Sequence, residues 1–558
     1  MDDVDSVQAQ IARNMLQSGD WVTARLDGVA YLEKSPLKYW SIAISYMVFG
    51  VHDWAARIPL ALATVLLCWV TTRFGAWAFG WRAGLYSGIV LATSVGLFLF
   101  TRVLIPDVML TLAITLALWG LLRALDEDEA HPGRWALGMW AAMGTGLLLK
   151  GLIAAVFPMG AALLYLGLTG RWLTRVTWKR LRPGAGVLLF LAIAAPWHVA
   201  ATLQNPPYLD FTMHSESGSY HGFFWFYFIN EHLLRFLNLR YPRDYNTVPR
   251  LYFWLFHLLW IFPWSVYLPA TLKLSYRKAD KPSRVRLLAL CWAGFILVFF
   301  TFSTTQEYYS MPCYPALALL LGPAIESKER VLRFGTKILA VVLSAALSVI
   351  LAILWLVRGM PTPGDISAAL SQNPELYTLS LGHMADLTMG AFAYLRLPLG
   401  VAAAALALGA IGTWRRPVPV TALAAMMVLF FHAARLALVA FDPYLSSRPL
   451  AEALLRQPPG QLIAGDQYYT FSSVFFYTNR RALLLNGRVN NLEYGSYAPD
   501  APKEVFIDDK DLTRLWLQPG RYYLLLEGPA VPHIAALVEN SSLHEVARSG
   551  GKYLFTNH

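Results

Sequence analysis

Cysteine is scarce. Cys68, Cys291 and Cys313 are the only three in 558 residues. Each sits in an apolar stretch and none has a paired spacing, so a disulfide scaffold and a Cys-based zinc site are excluded, while the redox compartment stays open. Charge is scarce too: Asp, Glu, Lys and Arg make up 15% of the chain, against about 25% in a water-soluble protein. That shortage excludes disorder and a soluble multidomain enzyme. Acidic residues are the rarer sign, 35 against 46 Lys and Arg. The excess would suggest nucleic acid if it formed one face, but it lies in short clusters between apolar runs, the footprint of membrane topology. There is no Walker loop, no GxGxxG after a strand and no HExxH, so neither a nucleotide site nor a zincin is indicated. There is no internal repeat of the kind that marks secondary transporters.

What is abundant is apolar and aromatic: 56% hydrophobic residues and 20 Trp. A spanning helix needs ~20 mostly apolar residues, and about twelve candidates are read near 58–79, 82–101, 107–125, 134–149, 152–168, 184–201, 251–272, 286–304, 309–325, 335–357, 396–413 and 419–440. Lys and Arg in short loops mark the cytoplasmic side. They gather at Arg171, Arg175, Lys179, Arg180 and Arg182, at Lys273–Arg284, at Lys328–Arg333 and at Arg415–Arg416. One loop dissents, Asp126-Glu127-Asp128-Glu129, but acidic residues weigh little in this rule. The opposite side then receives residues 1–57, 202–250, 358–395 and 441–558.

Two outer stretches, Pro36 to Phe49 and Gly222 to Phe228, combine helical pattern with Trp and Tyr. They read as helices lying in the interface, with aromatic packing between loops as the alternative. From 441 the pattern changes: Gln461–Ile463, Ala482–Leu485, Val505–Ile507, Tyr522–Leu526 and Tyr553–Phe555 are β-rich and alternate with helical Leu445–Leu455, Asp509–Leu517 and Val531–Val538. This predicts a small α/β module outside the membrane, with nothing catalytic in it; Asp466, Tyr468 and Tyr469 read as strand-end residues, and Asn540-Ser541-Ser542 is a weak sequon.

Ionisable groups near membrane depth need partners or a role. On the outer side these are Asp2, Asp3 and Asp5; Tyr31, Glu33 and Lys34; Arg102 and Asp107; Lys150; and His198, Glu231, His232 and Arg235 with Tyr308 and Tyr309. Each has an ordinary reading: a solvated N-terminus for the Asp cluster, a helix cap for Asp107 after Pro106, interface anchoring for Lys34, Lys150 and Arg235. Glu231-His232 lacks metal-ligand spacing. Their convergence on one face raises the functional reading, since cations beside carboxylates suit a phosphate leaving from a lipid while an acid accepts a proton.

These residues resemble the polyprenol-phosphate-sugar-dependent glycosyltransferases of the GT-C fold, a family that includes the dolichyl-phosphate-mannose protein mannosyltransferases and the bacterial aminoarabinose transferase of lipid A. The resemblance covers nearly the whole chain. It is carried by Gly19-Asp20-Trp21-Val22-Thr23 with Tyr31-Leu32-Glu33-Lys34-Ser35-Pro36-Leu37-Lys38-Tyr39-Trp40, its most specific part, then by Trp54 to Pro59, Lys150-Gly151, Phe223 to Arg235, Glu307-Tyr308-Tyr309 and Tyr314-Pro315-Ala316-Leu317. It implies a polytopic α-helical membrane protein of GT-C fold: a first outer loop with interfacial helices at 1–57, a transmembrane catalytic domain at 58–440 with outer loop 202–250, and a small extracytoplasmic α/β domain at 441–558. The family's thirteen-span members carry one span before the first loop, so an upstream apolar segment is expected.

The resemblance also implies the chemistry: an inverting transfer of a sugar from a polyprenyl phosphate, undecaprenyl phosphate in bacteria, to an envelope lipid or protein, by a monomer in the inner (plasma) membrane with its site facing the periplasm or exterior. Nucleic acid has no part in it. A non-catalytic protein that binds or transports polyprenyl-linked sugars is the alternative. The family's first-loop signature, an Asp-Glu pair followed by Arg-Tyr-Ala-Glu, is altered here: keeping Ala9, Arg13 and Met15 in register puts Val4 and Asp5 at the acids, Val7 at the Arg and Gln8 at the Tyr. Asp5 is then the preferred base, Asp3 and Asp2 are close alternatives, and Asp107 matches the second family acid. Lys34, Arg235 and Lys150 would hold the donor phosphate, and Tyr31, Tyr308 and Tyr309 would position sugar or phosphate. The aminoarabinose branch can hold a structural metal, but its His position matches Asn230. No cofactor is expected to be essential, and Glu33 and His232 are the ligands left for a divalent metal.

Overall fold

The computed structural model describes residues 1–243, 248–303, 306–327, 329–371, 381–538 and 542–558, with His383 described by its backbone only. Asn540 and Ser541 of the sequon lie outside the described residues. The chain is helical to Leu445, apart from a short hairpin of β1 (Arg25–Leu26) and β2 (Val29–Ala30), and mixed α/β beyond. Among the described residues, seven helices are long and apolar enough to cross a membrane: Asp53–Phe79, Asp107–Leu125, Arg175–Gln204, Lys281–Phe302, Arg330–Val357, Arg396–Arg415 and Val420–Leu445.

Several expected spans are interrupted. The one near 82–101 is two helices, Trp81–Ala92 and Val95–Phe100. At the break Thr93 and Ser94 turn their hydroxyls back onto the Ile89 and Leu91 carbonyls, the local bonding by which such residues compete with a helix. The stretch 251–272 is not one straight helix. Arg250–Trp260 and Trp264–Thr271 meet at 94°, around Pro263, which has no N–H to continue the ladder. Near 309–325 the helix is Tyr314–Glu326, preceded by the tighter turns of Glu307–Cys313. Pro132–Lys150 and Ile153–Leu168 are separate helices divided at Gly151, whose φ is +81°.

The dissenting acidic loop lies among the basic ones. Buried Asp126 pairs with Lys281 at 2.8 Å and Arg284 at 3.8 Å, Glu127 faces Arg171, and Glu129 pairs with Arg123. The Asp107–Leu125 helix therefore has its C-terminal end at the basic face and its N-terminal end at the opposite face.

The two aromatic stretches differ. Leu37–Phe49 buries Tyr39, Ile42, Ala43 and Tyr46 and exposes Ile44, Met47, Val48 and Phe49, as an interfacial helix does. Gly222–Phe224 leads into the π-helical Trp225–Leu234, where Trp225, Phe226 and Tyr227 are buried. Phe226 stacks on Tyr494 with centroids 4.2 Å apart. Here the packing alternative holds.

The C-terminal module is a six-stranded sheet of β3 (Gln461–Gly465), β4 (Ala482–Leu485), β5 (Phe506–Ile507), β6 (Tyr522–Glu527), β7 (His544–Ser549) and β8 (Lys552–Thr556), in the order β5-β4-β3-β6-β8-β7. β3 to β6 pair in parallel and β8 and β7 close one edge antiparallel. The central strands β3 and β6 are buried almost throughout, which explains their apolar runs. β7, largely open to solvent, has no such run and escapes sequence reading.

Candidate active site

The residues flanking Gly151 build the first wall. A positive φ suits glycine, and a Cβ there would fall 2.1 Å from His232 Nε2. The turn thus lets the π-helical segment approach and leaves Lys150 at the end of its helix. Lys150 Nζ reaches Asp107 Oδ1 at 2.5 Å and lies over the rings of Tyr308 and Tyr309, 5.1 and 4.7 Å from their centroids. Asp107 is 1% exposed, and among the described residues its Oδ2 has no hydrogen-bond partner. Its side chain does not cap the helix it begins, so the ordinary reading of this residue fails.

These groups line a cavity of ≈ 170 Å³ together with Glu33, Lys34, Glu231, His232 and Arg235, and Leu110, Ile153, Phe236, Phe299 and Phe300 form an apolar wall. Lys34 Nζ is 3.3 Å from Glu33 Oε2. Arg235 donates to Glu231 Oε2 at 2.7 Å and to the Tyr309 hydroxyl at 3.0 Å. Burial would raise the Glu231 carboxyl, but the Arg240 and Arg235 guanidiniums prevail and hold it at about 2. Arg240, itself buried, also bonds Glu33 Oε1 at 3.0 Å. The cavity can therefore receive an anionic headgroup with an apolar tail alongside.

The structure separates the other candidates. Tyr31 does not line the cavity; its hydroxyl meets that of Tyr469 at 2.8 Å. His198 is also outside it, with Nδ1 on the Ala194 carbonyl. None of the three N-terminal carboxylates reaches it. Asp3 accepts from the Ser473 N–H and hydroxyl, the Ser447 hydroxyl and Lys552, and so ties the first helix to the C-terminal module. Asp2 caps the Asp3–Ser18 helix through the Asp5 N–H at 2.8 Å, and burial beside Asp5 pushes it up to about 7. Asp5, fully buried, pairs with Arg57 through Oδ2 and accepts from the Leu104 N–H at 2.7 Å through Oδ1. Arg57 also donates to the Arg102 carbonyl and Lys38 to that of Leu104. Asp5 thereby clamps the turn that delivers Asp107.

The residues left for a metal do not fit one. Both Glu33 oxygens accept from Asn491 as well as facing Arg240 and Lys34. His232 Nδ1 lies on the Tyr227 carbonyl and Nε2 accepts from the Leu152 N–H. Those bonds use the proton and the lone pair of a neutral imidazole, and burial lowers its pKa. The Asn230 amide is closed onto the Tyr241 backbone through both its ends. Among the described residues, three or more His, Cys, Asp or Glu side chains nowhere gather as a metal site.

Two contributors escaped the sequence reading. Arg240 and Asn491 carry no local signal, because their shared partner Glu33 lies 207 and 458 residues away. Arg57 stood in a recognised stretch, but nothing local tied it to Asp5.

A helical membrane domain with its charged cavity at one end, capped by an α/β module, defines a GT-C-type multi-pass membrane protein. Residues 33–199 match the model of the dolichyl-phosphate-mannose-protein mannosyltransferase family. The crystal structure of ArnT from Cupriavidus metallidurans bound to undecaprenyl phosphate superposes with a TM-score of 0.80 at 23% identity, over 99% of this chain and 93% of that one. Undecaprenyl phosphate-alpha-4-amino-4-deoxy-L-arabinose arabinosyl transferase 1 of Pseudomonas fluorescens strain Pf0-1 is 28% identical over 395 residues, 67% of this chain and 61% of that protein. The corresponding transferase 2 of P. fluorescens strain Pf-5 is 31% identical over 332 residues, 57% of this chain and 51% of that protein. The matches thus span between about half and three fifths of these curated relatives' length. The likeness to the ArnT structure shows that the chain has the GT-C fold.

Proposed function

We propose that the protein transfers a sugar from a polyprenyl phosphate, undecaprenyl phosphate in a bacterium, to a hydroxyl or phosphate of an envelope lipid or protein, with inversion at the anomeric carbon. The observation that carries this reading is the Asp107 carboxylate, with Oδ2 unpartnered among the described residues, in the lining of a cavity shared with Lys34, Lys150 and Arg235. The acceptor oxygen attacks the anomeric carbon and its proton passes to Asp107. The bond from that carbon to the phosphate oxygen breaks, and the electron pair leaves with polyprenyl phosphate. A positioned base contributes about 10²–10⁴ in rate. Lys150 keeps Asp107 oriented, Lys34 and Arg235 take up the charge on the departing phosphate, and Tyr308 and Tyr309 form the wall against which the headgroup rests. Asp5 positions the turn before Asp107. The similarity to an ArnT structure bound to undecaprenyl phosphate supports the donor class, and the names of the arabinosyl transferases support a sugar carried on undecaprenyl phosphate as the donor.

The site faces outward from the inner membrane in this reading. The basic clusters lie at the far ends of the helices that deliver Asp107 and Lys150, and basic loops stay in the cytoplasm.

The test is donor recognition. A charge-assisted hydrogen bond contributes ~1.5–3 kcal/mol, so Lys34→Met and Arg235→Met should each weaken binding of undecaprenyl phosphate in nanodiscs by about tenfold or more, with thermal unfolding unchanged. Unchanged affinity in both folded variants would reduce these cations to interface anchors and remove the donor site.

A further inference from the structure

A second cavity lies toward the basic ends of the helices that carry Asp107 and Lys150. It measures ≈ 100 Å³ and is lined by Ala, Leu, Met, Pro and Trp throughout. Three apolar helices form its walls: Asp107–Leu125 through Ala117, Pro132–Lys150 through Met143 and Ile153–Leu168 through Ala162. Trp178 and Leu181 close it at the basic end. Met159 and Leu163 in its rim are exposed, so it opens toward the bilayer. The indole N–H groups of Trp140 and Trp178 are spent on the Leu181 and Trp172 carbonyls, which leaves water no partner in the lining. A cavity of this kind stays dry and takes hydrocarbon; one of ~150 Å³ holds a benzene. Ala117 is eight residues from the end of its helix, about 12 Å, which is within the ~15 Å hydrocarbon depth of one leaflet.

The short helix Arg175–Leu181 that closes the cavity is basic on its other side. Thr177 and Leu181 are buried, while Arg175, Lys179 and Arg182, spaced four and three residues apart as on one helical face, are exposed. Exposed Trp172, Leu173 and Val176 accompany them, the mixture of cations and apolar side chains that sits at the headgroup level. Arg180 turns inward onto the Ala124 and Asp126 carbonyls, and Arg171 faces Glu127. Among the described residues no ion pair takes up Arg175, Lys179 or Arg182.

We propose that this is a binding site for an anionic glycerophospholipid of the leaflet that borders the basic face. An acyl chain enters past Met159 and Leu163 and lies in the cavity, and the headgroup phosphate sits against Arg175, Lys179 and Arg182. The cavity alone would take any acyl chain. The cations select for charge, since basic groups beside spanning helices attract anionic headgroups. A free phosphate has nothing to place in the cavity, and a zwitterionic lipid brings no net charge to the cations. The site is separate from the donor cavity, with which it shares no lining residue. A lipid seated there fills the gap between the basic ends of the two helices that deliver Asp107 and Lys150.

The experiment photocrosslinks the full chain in nanodiscs with phosphatidylglycerol carrying a diazirine on one acyl chain, or with the matching phosphatidylcholine, and maps the labelled peptides by mass spectrometry. Phosphatidylglycerol should label 139–143 and 158–166 about tenfold or more above phosphatidylcholine. The triple variant Arg175→Gln, Lys179→Gln and Arg182→Gln should lose that difference, with thermal unfolding as in wild type because all three side chains are exposed. Ala162→Phe, which puts a ring in the cavity, should lower labelling of these two segments by either lipid and leave labelling of the other membrane helices unchanged. Equal labelling of wild type by both lipids, a triple variant that keeps the difference, or a folded Ala162→Phe labelled like wild type would each overturn the proposal, the last by reducing the cations to a general surface attraction. If Ala162→Phe does not fold, the wild type and the triple variant decide.

Discussion

Lys150 Nζ sits 2.5 Å from Asp107 Oδ1, while Oδ2 of the same cavity-lining carboxylate is buried and has no hydrogen-bond partner among the described residues. One oxygen is held by the lysine and the other is bonded by none of the described residues. Asp107→Asn should abolish sugar transfer, measured as release of polyprenyl phosphate from a sugar-loaded donor, and leave undecaprenyl phosphate affinity within about threefold, less than one charge-assisted bond. Asn caps helices about as well as Asp, so a capping role forecasts no loss at all. Full activity of this variant would end the general-base assignment.

Asp5 and Arg57 meet across the turn from Thr101 to Pro106 and bond its backbone at Leu104 and Arg102. If they act as a clamp, Asp5→Asn and Arg57→Met should lower transfer to a similar degree. The double variant should then be no worse than either single one, because residues in one network do not add. A direct base at Asp5 forecasts a different result, with Asp5→Asn inactive and Arg57→Met largely active. The two single-variant rates decide between them.

Asp2 has a folded-state carboxyl at about 7, raised from 3.8 by burial and by Asp5. The folded protein therefore holds this proton more tightly than the unfolded chain, and stability falls as pH rises from about 4 to about 7. Asp2→Asn keeps a capping oxygen and lacks the titration. Its thermal stability should match that of wild type near pH 4 and exceed it increasingly up to pH 7. A difference independent of pH would mean that the carboxyl is not perturbed.

The basic face gathers Lys281, Arg284 and Arg180 around Asp126. Reporter fusions in the 126–131 and 171–182 loops should read as cytoplasmic, and fusions in 202–243 or after 445 as external. The reverse pattern would move the cavity to the cytoplasmic side and exclude an external acceptor.

The apolar runs, the basic loops and the shift to β-rich pattern after 441 were enough to read a polytopic helical protein with an extramembrane α/β module, because hydropathy and the strand period are local properties. The gathering of Lys34, Asp107, Lys150, Arg235, Tyr308 and Tyr309 in one cavity was legible as motifs on one face. The division of labour among the carboxylates was not. Asp5 and Asp107 are the same residue type, each in the first turn of a helix, and only tertiary contacts give Asp5 two partners and leave one Asp107 oxygen unbonded among the described residues. Sequence spacing cannot show that Arg240 stands between Glu33 and Glu231, or that Asn491 reaches Glu33 across 458 residues. The breaks at Thr93–Ser94 and Pro263 were hidden for the opposite reason: apolar composition continues through them, and hydropathy does not register where the backbone hydrogen-bond ladder is lost.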